Sequence, residues 1–408
     1  MMQTTPSTFH SWPTVPFTEC LDTLGFVKPP KILAREYKKT GGIAVIDQGQ
    51  EMIAGWTDDE TAAIRDRLPF IVFGDHTRIF KFVDFPFALG ADGTQLLKPK
   101  AIFNPRFFYY ACLNLALPNR GYNRHFSLLK ERELPQPSIP EQERIAAVLR
   151  KVEQALDVQE KLVATNRELK QSALRQLFTS GLRGESQKET DIGPVPDSWD
   201  VIPIRAKAKL IAGGTPSRTV GAYWTAGTIP WVKTGQVDYC VVTETEEKIT
   251  PAGLKNSAAK LLPKGTLLIA MYGQGITRAK VAMLGIDAAT NQACAGIIPK
   301  TDDVLPTFLY YYLTFAYEKL RALSHGAQQQ NLNAELINGF PFPLPRDGRD
   351  QSDIVDILQT IDRKISVHQR RRATLQELFK TLLHQLMTGQ IRVDSLDIDV
   401  SDVTRNGE

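Results

Sequence analysis

Residues 134–183 read LPQPSIPEQERIAAVLRKVEQALDVQEKLVATNRELKQSALRQLFTSGLR, and residues 344–392 read LPRDGRDQSDIVDILQTIDRKISVHQRRRATLQELFKTLLHQLMTGQIR. From Glu143 onward, each residue aligns without a gap with the residue 209 positions later, as Ile145 does with Ile354. Apolar residues recur in each copy at steps of three and four, the spacing of one stripe along a helix. The sequence therefore predicts an internal duplication in which a domain and a long helix occur twice.

Helix signals mark the beginning and the end of these copies. Ser138 and Glu141 have the spacing of a capping box, with Pro140 in the first turn. Gly181 and Gly389 follow the last apolar positions, where a glycine commonly ends a helix. Each copy is therefore predicted to be one long helix.

An apolar stripe along so long a helix has to be covered. Because a whole domain connects the two copies, the helices can run antiparallel and cover each other, as in a coiled coil. The stripe becomes polar midway, where Arg372 takes the position of Val163. The residues of this predicted helix seam are Ile145, Leu149, Val152, Leu156, Ile354, Leu358, Ile361 and Ile365. Such helices are also typical of a scaffold or dimerisation protein.

The predicted fold class is α+β, with two globular α/β domains separated by two long antiparallel helices in a pseudo-two-fold arrangement. Short β-like runs broken by glycine and proline fill both globular parts, and an aromatic helical segment ends each of them. The predicted parts are a first domain at 1–134, a central helix at 135–184, a second domain at 185–343, a C-terminal helix at 344–393 and an acidic tail at 394–408. The composition of the tail predicts disorder.

Composition predicts a cytoplasmic protein. Of the 408 residues, 42% are hydrophobic and 23% are charged, which is ordinary for a globular protein. The N terminus lacks the features of a secretion signal, and no apolar run is long enough to span a membrane. The four cysteines form no C-x-x-C pair and indicate neither a zinc site nor a disulfide framework. The net charge of +4 favours an anionic partner without deciding the matter.

Polar residues beside glycines recur in both domains and are candidates for DNA binding. Amide side chains can pair with adenine, Arg and Lys can pair with guanine, and Thr can hold phosphates. In the first domain the candidates are Gln48, Gln50, Asp75, His76, Thr77, Arg78, Arg124 and His125. In the second domain they are Thr215, Ser217, Lys233, Thr234, Gln236, Tyr272, Gln274, Thr277, Arg278, Lys280, Gln292, Gln328, Gln329, Asn331 and Asn333. For any single motif, turn residues and strand-end caps are the ordinary alternative.

Taken together, these segments make the chain resemble the specificity subunits of type I restriction–modification systems over nearly its whole length. The resemblance is carried by the doubled lead-in and helix, LPQPSIPEQERIAAVL and FPLPRDGRDQSDIVDIL. It is also carried by GGTPSR…YW…IPWVKTGQV in 213–237, by YGQGITRAKVAMLGIDAATNQACAGI in 272–297 and by the later AQQQNLN. IDQGQ, FGDHTRIFKFVDFPFALGADG and NRHFSLL carry it in the first half. No single piece would suffice, but the ordered set is specific.

This resemblance implies that residues 1–134 and 185–343 are target-recognition domains, each reading one half of a bipartite, asymmetric site in double-stranded DNA. The helices would set the gap between the half-sites and dock two modification (methyltransferase) subunits, and two restriction subunits could join. The chain itself would be non-catalytic and would hold no metal. S-adenosylmethionine, ATP and Mg are expected on the partner subunits.

Two enzymatic readings and one structural reading compete with this expectation. A methyltransferase would need an Asn/Asp-Pro-Pro-aromatic loop, but the run from Asn104 to Phe107 lacks the second proline. A metal-dependent DNA endonuclease is the better rival, because Glu246 and Lys248 have Glu-x-Lys spacing and Asp238 lies upstream. A coiled-coil scaffold without DNA specificity is the third hypothesis. We expect the DNA-reading subunit.

Overall fold

The computed structural model describes residues 12–23, 29–90, 93–118, 121, 124–272, 276–323, 331–394 and 396–404. The chain divides into two compact units. The first unit comprises Met1–Glu160 and Gln369–Glu408, and the second comprises Lys161–His368. Each unit therefore holds one globular region together with part of each long helix.

The elements follow the chain in the order that the duplication predicts. The first globular region contains β1 Thr14–Pro16, β2 Ile43–Ile46, β3 Gly55–Thr57, β4 Ala63–Ile64, β5 Phe70–Gly74, β6 Phe80–Val83, β7 Phe87–Leu89, β8 Thr94–Leu97, α1 Pro105–Leu113, α2 Phe126–Lys130 and β9 Glu133–Pro135. The first long helix is α3 Ile139–Ser180.

The second half repeats this order with more strands. Its globular region contains β10 Gln187–Lys188, β11 Val195–Pro196, β12 Trp199–Pro203, α4 Ile204–Lys207, β13 Ala208–Ala212, β14 Ile229–Val232, β15 Val241–Val242, β16 Glu247–Ile249, α5 Pro251–Lys255, β17 Leu267–Ala270, β18 Val281–Leu284, β19 Ala289–Thr290, β20 Cys294–Pro299, α6 Pro306–Phe315, α7 Tyr317–Ala322, α8 Ala334–Gly339 and β21 Pro341–Pro345. The second long helix is α9 Gly348–Met387, and a short helix follows, α10 Ser401–Thr404.

The two long helices confirm the duplicated segment. α3 has 42 residues and α9 has 40. Gly181 and Gly389 follow them with φ of 64° and 72°, the left-handed conformation that glycine adopts without strain. The predicted helix ends are therefore confirmed. Among the described residues, no helix is both long and apolar enough to cross a bilayer.

In the first unit, a three-stranded sheet packs on an aromatic core with one face and on a four-stranded sheet with the other. One sheet has the order β3-β2-β7-β4, in which β2 and β7 are parallel, and the other has the antiparallel order β6-β5-β8. Phe107, Phe108 and Tyr110 of α1 are fully buried and join a core cluster that includes Ile145 of α3 and Leu386 of α9. The core therefore fixes the globular region to both long helices.

The second unit has the same plan around a larger sheet. Its main sheet has the order β13-β20-β17-β18-β15, and a second sheet has the order β16-β14-β19. Phe308 of α6 packs on Phe178 of α3 and on Trp199 of β12, with ring centroids 5.4 and 6.0 Å apart. Ile354 and Leu358 of α9 are fully buried in the same cluster.

Ion pairs show that the long helices run antiparallel within each unit. In the first unit, Glu141 contacts Arg392 at 3.2 Å and Glu160 contacts Arg372 at 3.7 Å. In the second unit, Lys170 contacts Asp362 at 2.6 Å and Arg183 contacts Asp350 at 3.6 Å. In both units the partner in the second repeat lies earlier in the sequence as the residue in the first repeat lies later, with Arg183 and Arg392 just beyond the ends of α3 and α9.

The predicted helix seam is buried only in part by the helices themselves. Ile145, Leu149, Ile354 and Leu358 are fully buried, Ile361 and Ile365 are nearly so, and Val152 and Leu156 are half-buried. The four fully buried residues pack on the aromatic helices α1 and α6 as well as on the opposite long helix. Our expectation that the two helices cover each other was incomplete, because the core of each globular region supplies a third partner.

Part of the acidic tail packs on the first-unit core, whereas the composition of the tail predicts disorder. Residues 396–404 include α10, and Val403 is only 8% exposed. Ile398 and Val400 pack against the first-unit core, and the Asn104 side-chain amide donates to the Val403 carbonyl at 2.9 Å. Apolar residues that lie between the aspartates explain this packing. The overall composition of the tail does not show it.

Candidate nucleic-acid interface

In the first unit, the predicted polar residues lie where β2 and β5 end. The Thr77 hydroxyl donates to the Gln48 carbonyl at 2.6 Å, and the His76 backbone N–H donates to Gln48 Oε1 at 3.3 Å. These bonds join the loop after β2 to the turn after β5. Three of the residues chosen from separate motifs therefore form one cluster.

Two glycines allow this cluster to form. A Cβ on Gly74 would lie 2.2 Å from Thr77 Oγ1, and a Cβ on Gly93 would lie 2.7 Å from Gln48 Oε1. Gly93 also has a positive φ of 74°. Any other residue at either position would displace the Gln48 loop.

Two predicted residues of this region are buried anchors. Asp75 is 2% exposed, and its Oδ1 accepts from the backbone N–H groups of His125 and Phe126, both at 2.7 Å. His125 is fully buried, with Nδ1 2.9 Å from the Asp75 carbonyl. This geometry suits Asp75 and His125 to positioning the turn and the start of α2 rather than to presenting polar atoms on the surface.

Other candidates in the first unit differ in exposure. Gln50, Thr77 and Arg124 are exposed, whereas Arg78 is half-buried, has a φ of 63° and donates to the Leu117 carbonyl at 2.9 Å.

Lys81, which the sequence did not single out, is 4% exposed and contacts Asp47 at 3.7 Å. Burial lowers the pKa of Lys81. This lysine holds the base of the Gln48 loop.

In the second unit, the segment after β13 approaches the backbone of its neighbours very closely. A Cβ on Gly213 would lie 2.1 Å from the Asn291 carbonyl oxygen, and a Cβ on Gly214 would lie 2.2 Å from the Ala259 nitrogen. The Thr215 hydroxyl donates to Gln292 Oε1. The paired glycines therefore bring the threonine to the loop that follows β19.

A second polar group lies beside this segment and includes Arg218, which the site prediction omitted. Its guanidinium carbon lies 3.7 Å from the Trp224 ring centroid, and Nη1 donates to Glu247 Oε2 at 2.6 Å. Lys233 contacts the same carboxylate at 2.6 Å and Glu246 at 3.2 Å. The pKa of Lys233 is raised and that of Glu247 is lowered, each chiefly by their mutual hydrogen bond.

Arg218 stands in the GGTPSR run, so a signal for it was present in the sequence. The arginine precedes two tryptophans, Trp224 and Trp231, and its guanidinium carbon lies 5.0 Å from the second ring centroid. Stacking on aromatic faces is characteristic of arginine. Glu247 could not be assigned from the sequence because it lies on β16, 29 residues further along the chain.

The remaining candidates of this unit form hydrogen bonds at separate places. Thr234 bonds with Asn291 at 3.0 Å, Gln236 Oε1 accepts from the Lys233 backbone N–H at 3.2 Å, and Lys280 contacts Asp238 at 2.6 Å. The Ser217 hydroxyl bonds with Thr219, and Asn333 caps α8. Tyr272 and Asn331 are exposed, whereas Thr277 and Arg278 are half-buried. Gln274, Gln328 and Gln329 lie outside the described residues.

Comparison with known proteins finds similarity to one family. A family described as type I restriction modification DNA specificity domain matches residues 196–377. The MjaIX specificity subunit of a type I restriction enzyme from Methanocaldococcus jannaschii is 31% identical over 217 residues, which are 50% of this chain and 48% of that protein. The EcoR124I/EcoR124II specificity subunit from Escherichia coli is 23% identical over 354 residues, 83% of this chain and 84% of that protein. The chain is therefore similar to the specificity subunits of type I restriction enzymes.

The structural comparison supports the same fold. The S subunit of a type I restriction–modification system from M. genitalium aligns with a TM-score of 0.63 at 16% identity, covering 94% of this chain and 98% of that one. The match to the M. jannaschii relative spans about half the length of each protein. The fold of a specificity subunit is therefore established over nearly the whole chain.

In this chain, the residues of the endonuclease alternative do not converge. Asp238 contacts Lys280, whereas Glu246 contacts Lys233. Within the described part of the chain, no group of three His, Cys, Asp or Glu side chains is placed to hold a metal ion. The comparisons support neither the endonuclease nor the scaffold alternative.

Proposed function

We propose that this chain is the non-catalytic DNA sequence-recognition subunit of a type I restriction–modification complex. Residues 1–134 and 185–343 would each read one half of a bipartite, asymmetric site in double-stranded DNA. The long helices would set the gap between the half-sites.

One observation carries this proposal. In each unit, polar side chains from segments far apart in sequence meet, and in the first unit buried Asp75 and His125 position the turn that carries two of them. The first unit uses Gln48, His76 and Thr77, and the second uses Thr215 with Gln292 and Arg218 with Glu247. The two clusters contain different chemical groups, as two different half-sites require.

The groups in these clusters have the chemistry of base recognition. A glutamine amide can pair bidentately with adenine, an arginine can pair with guanine, and a glutamate can accept from cytosine. The Trp224 face and the Glu247 carboxylate hold the Arg218 guanidinium in one orientation. An orientation fixed before binding reduces the entropy that recognition loses.

The catalytic parts of the proposed complex would belong to other subunits. Two modification subunits would dock on the long helices and supply S-adenosylmethionine chemistry, and two restriction subunits could add ATP- and Mg-dependent cleavage. We place this assembly in the cytoplasm, where chromosomal DNA is accessible. The exposed apolar residues Val158 and Leu169 of α3 and Leu378 of α9 are suited to protein contacts.

The proposal is tested by co-expressing the chain with the modification subunit of its own system. Modified bases are then mapped across the host genome at single-base resolution. We expect one asymmetric motif with two defined parts and a fixed gap, and no motif when the modification subunit is expressed without this chain.

Two results would reject the proposal. A stable complex that modifies no defined motif would favour a scaffold. Cleavage of DNA by the purified chain with Mg²⁺, abolished by Glu246→Ala, would favour the endonuclease.

A further inference from the structure

The contact between each aromatic helix and its long helix is duplicated together with the fold. The Tyr110 hydroxyl of α1 donates to Glu153 Oε2 of α3 at 3.0 Å. The Tyr311 hydroxyl of α6 donates to Asp362 Oδ2 of α9 at 2.8 Å. Glu153 and Asp362 are equivalent positions of the repeat, 209 residues apart. The same tyrosine–carboxylate bond therefore occurs in both units.

A buried glutamine forms a second duplicated contact. Gln142 is fully buried, and its Oε1 accepts from the Asn104 backbone N–H at 2.8 Å. Gln351, its equivalent in α9, is 1% exposed and accepts from the Leu305 backbone N–H at 3.0 Å. Asn104 and Leu305 are the N-cap residues of α1 and α6. Each long helix thus holds the start of its aromatic helix.

Each glutamine also donates from the same amide, which leaves it a single orientation. Gln142 Nε2 donates to the carbonyls of Ile102 at 3.1 Å and of Pro137 at 2.9 Å. Gln351 Nε2 donates to the Asp303 carbonyl at 2.8 Å. A buried amide with both ends bonded resists any shift that would leave one end unpaired.

The two contacts act at two separated points on each pair of helices. Along the long helix, the glutamine and the carboxylate are eleven residues apart in both copies, which is about three turns, so they share one face. Along the aromatic helix, the N-cap and the tyrosine are six residues apart in both copies. Two fixed points prevent both sliding and rotation of one helix on the other.

We propose that these six residues form a clamp that sets the register of each recognition domain on the long helices and thereby the gap that the protein accepts. The clamp consists of Tyr110, Gln142 and Glu153 in the first unit and Tyr311, Gln351 and Asp362 in the second. All six are positioning residues that act through the recognition loops. The inference depends on the proposed DNA-reading function.

Apolar packing alone would define this register less sharply. Ile145, Leu149 and Leu358 contribute burial, which is non-directional, whereas the bonds of the clamp require one relative orientation. The required precision is high, because adjacent base pairs differ by about 3.4 Å in rise and by about 35° in twist, given 10 to 10.5 base pairs per turn.

The test measures how strictly the complex selects its gap. The chain is co-expressed with the modification subunit, and modification is compared at genomic sites that keep both half-sites but have a gap one base pair longer or shorter. We expect Tyr110→Phe and Tyr311→Phe, singly and together, to retain both half-sites. Their preference for the correct gap should fall, by about tenfold in the double variant, equivalent to about 1.4 kcal/mol.

Three further variants separate positioning from general stability. Glu153→Gln retains an oxygen that can accept from Tyr110, so the gap preference should be largely retained, whereas Glu153→Leu should lose it. Glu160→Gln is the matched control, because this carboxylate lies on α3 but pairs only with Arg372 of α9 among the described contacts, 3.7 Å away. It should leave the gap preference unchanged.

The clamp is rejected if the phenylalanine variants melt at the wild-type temperature, retain both half-sites and keep the wild-type gap preference. It is also rejected if Glu160→Gln relaxes the gap as much as Glu153→Leu, since any helix perturbation would then suffice. A wild-type complex with no bipartite motif would instead reject the proposed function itself.

Discussion

The two globular regions share their attachment to the helices and differ in the loops that they present. Pro105, Phe107 and Tyr110 of α1 correspond in order and spacing to Pro306, Phe308 and Tyr311 of α6. The polar loops correspond poorly, since one unit joins Gln48 to His76 and Thr77 whereas the other stacks Arg218 on Trp224. The comparison teaches that a constant frame can carry two independent recognition surfaces.

The largest expected effect comes from breaking the frame in one unit at a time. Phe107 and Phe308 are fully buried at equivalent positions. Replacement of either by alanine should lower the free energy of unfolding by ~3–5 kcal/mol, because a large cavity forms in the core. Hydrogen exchange measured by mass spectrometry should show deprotection concentrated in the unit that carries the change. Equal deprotection of both units by each variant would contradict the independence of the two frames.

A longer spacer should change the gap without changing either half-site. Four residues inserted after Gln159 in α3 and after the equivalent His368 in α9 add ~6 Å to each helix. At ~3.4 Å per base pair, the accepted gap should lengthen by one to two base pairs. Mapping of modified bases measures this directly, with the same length inserted at the exposed turn after Gly389 as the control. An unchanged gap would reject the role of the helices as a ruler.

Changing one polar loop should alter one half-site only. Arg218→Lys keeps the charge but loses the planar fork that pairs with guanine, so discrimination at one base should weaken by ~1–3 kcal/mol. Lys233→Ala should also affect this half-site, because Lys233 shares Glu247 with Arg218. Arg346→Ala is the control, since this exposed arginine pairs with Asp200 and lies outside the polar cluster. Relaxation of the other half-site would contradict the assignment of one domain to one half.

The smallest expected effect concerns the exposed ion pairs between the long helices. Glu160 and Arg372 have side chains 66% and 41% exposed, so solvent screens their attraction. Glu160→Gln should change the free energy of unfolding by less than ~0.5 kcal/mol. A much larger loss in chemical denaturation would show that polar contacts at this level of the helices contribute as much as the aromatic cores.

Much of the frame could be read from local sequence. The repeat, its apolar stripe and the glycines after it predict both long helices, since helix periodicity and termination are local properties. The polar motifs that follow β2 and β5 also identify residues that the fold brings together. The buried state of Asp75 and His125 could not be read, because a polar residue in a turn has the same sequence signature whether it faces solvent or anchors a neighbouring segment.

The sequence by itself determined the duplication, the long helices and the family resemblance, because these depend on residue order and spacing along the chain. Only the tertiary structure decided which residues meet across the chain: Arg218 with Glu247, Tyr110 with Glu153, and the tail residue Val403 with Asn104. The physical reason is that a hydrogen bond depends on distance and direction in space, and residues far apart in sequence acquire both only when the core has packed.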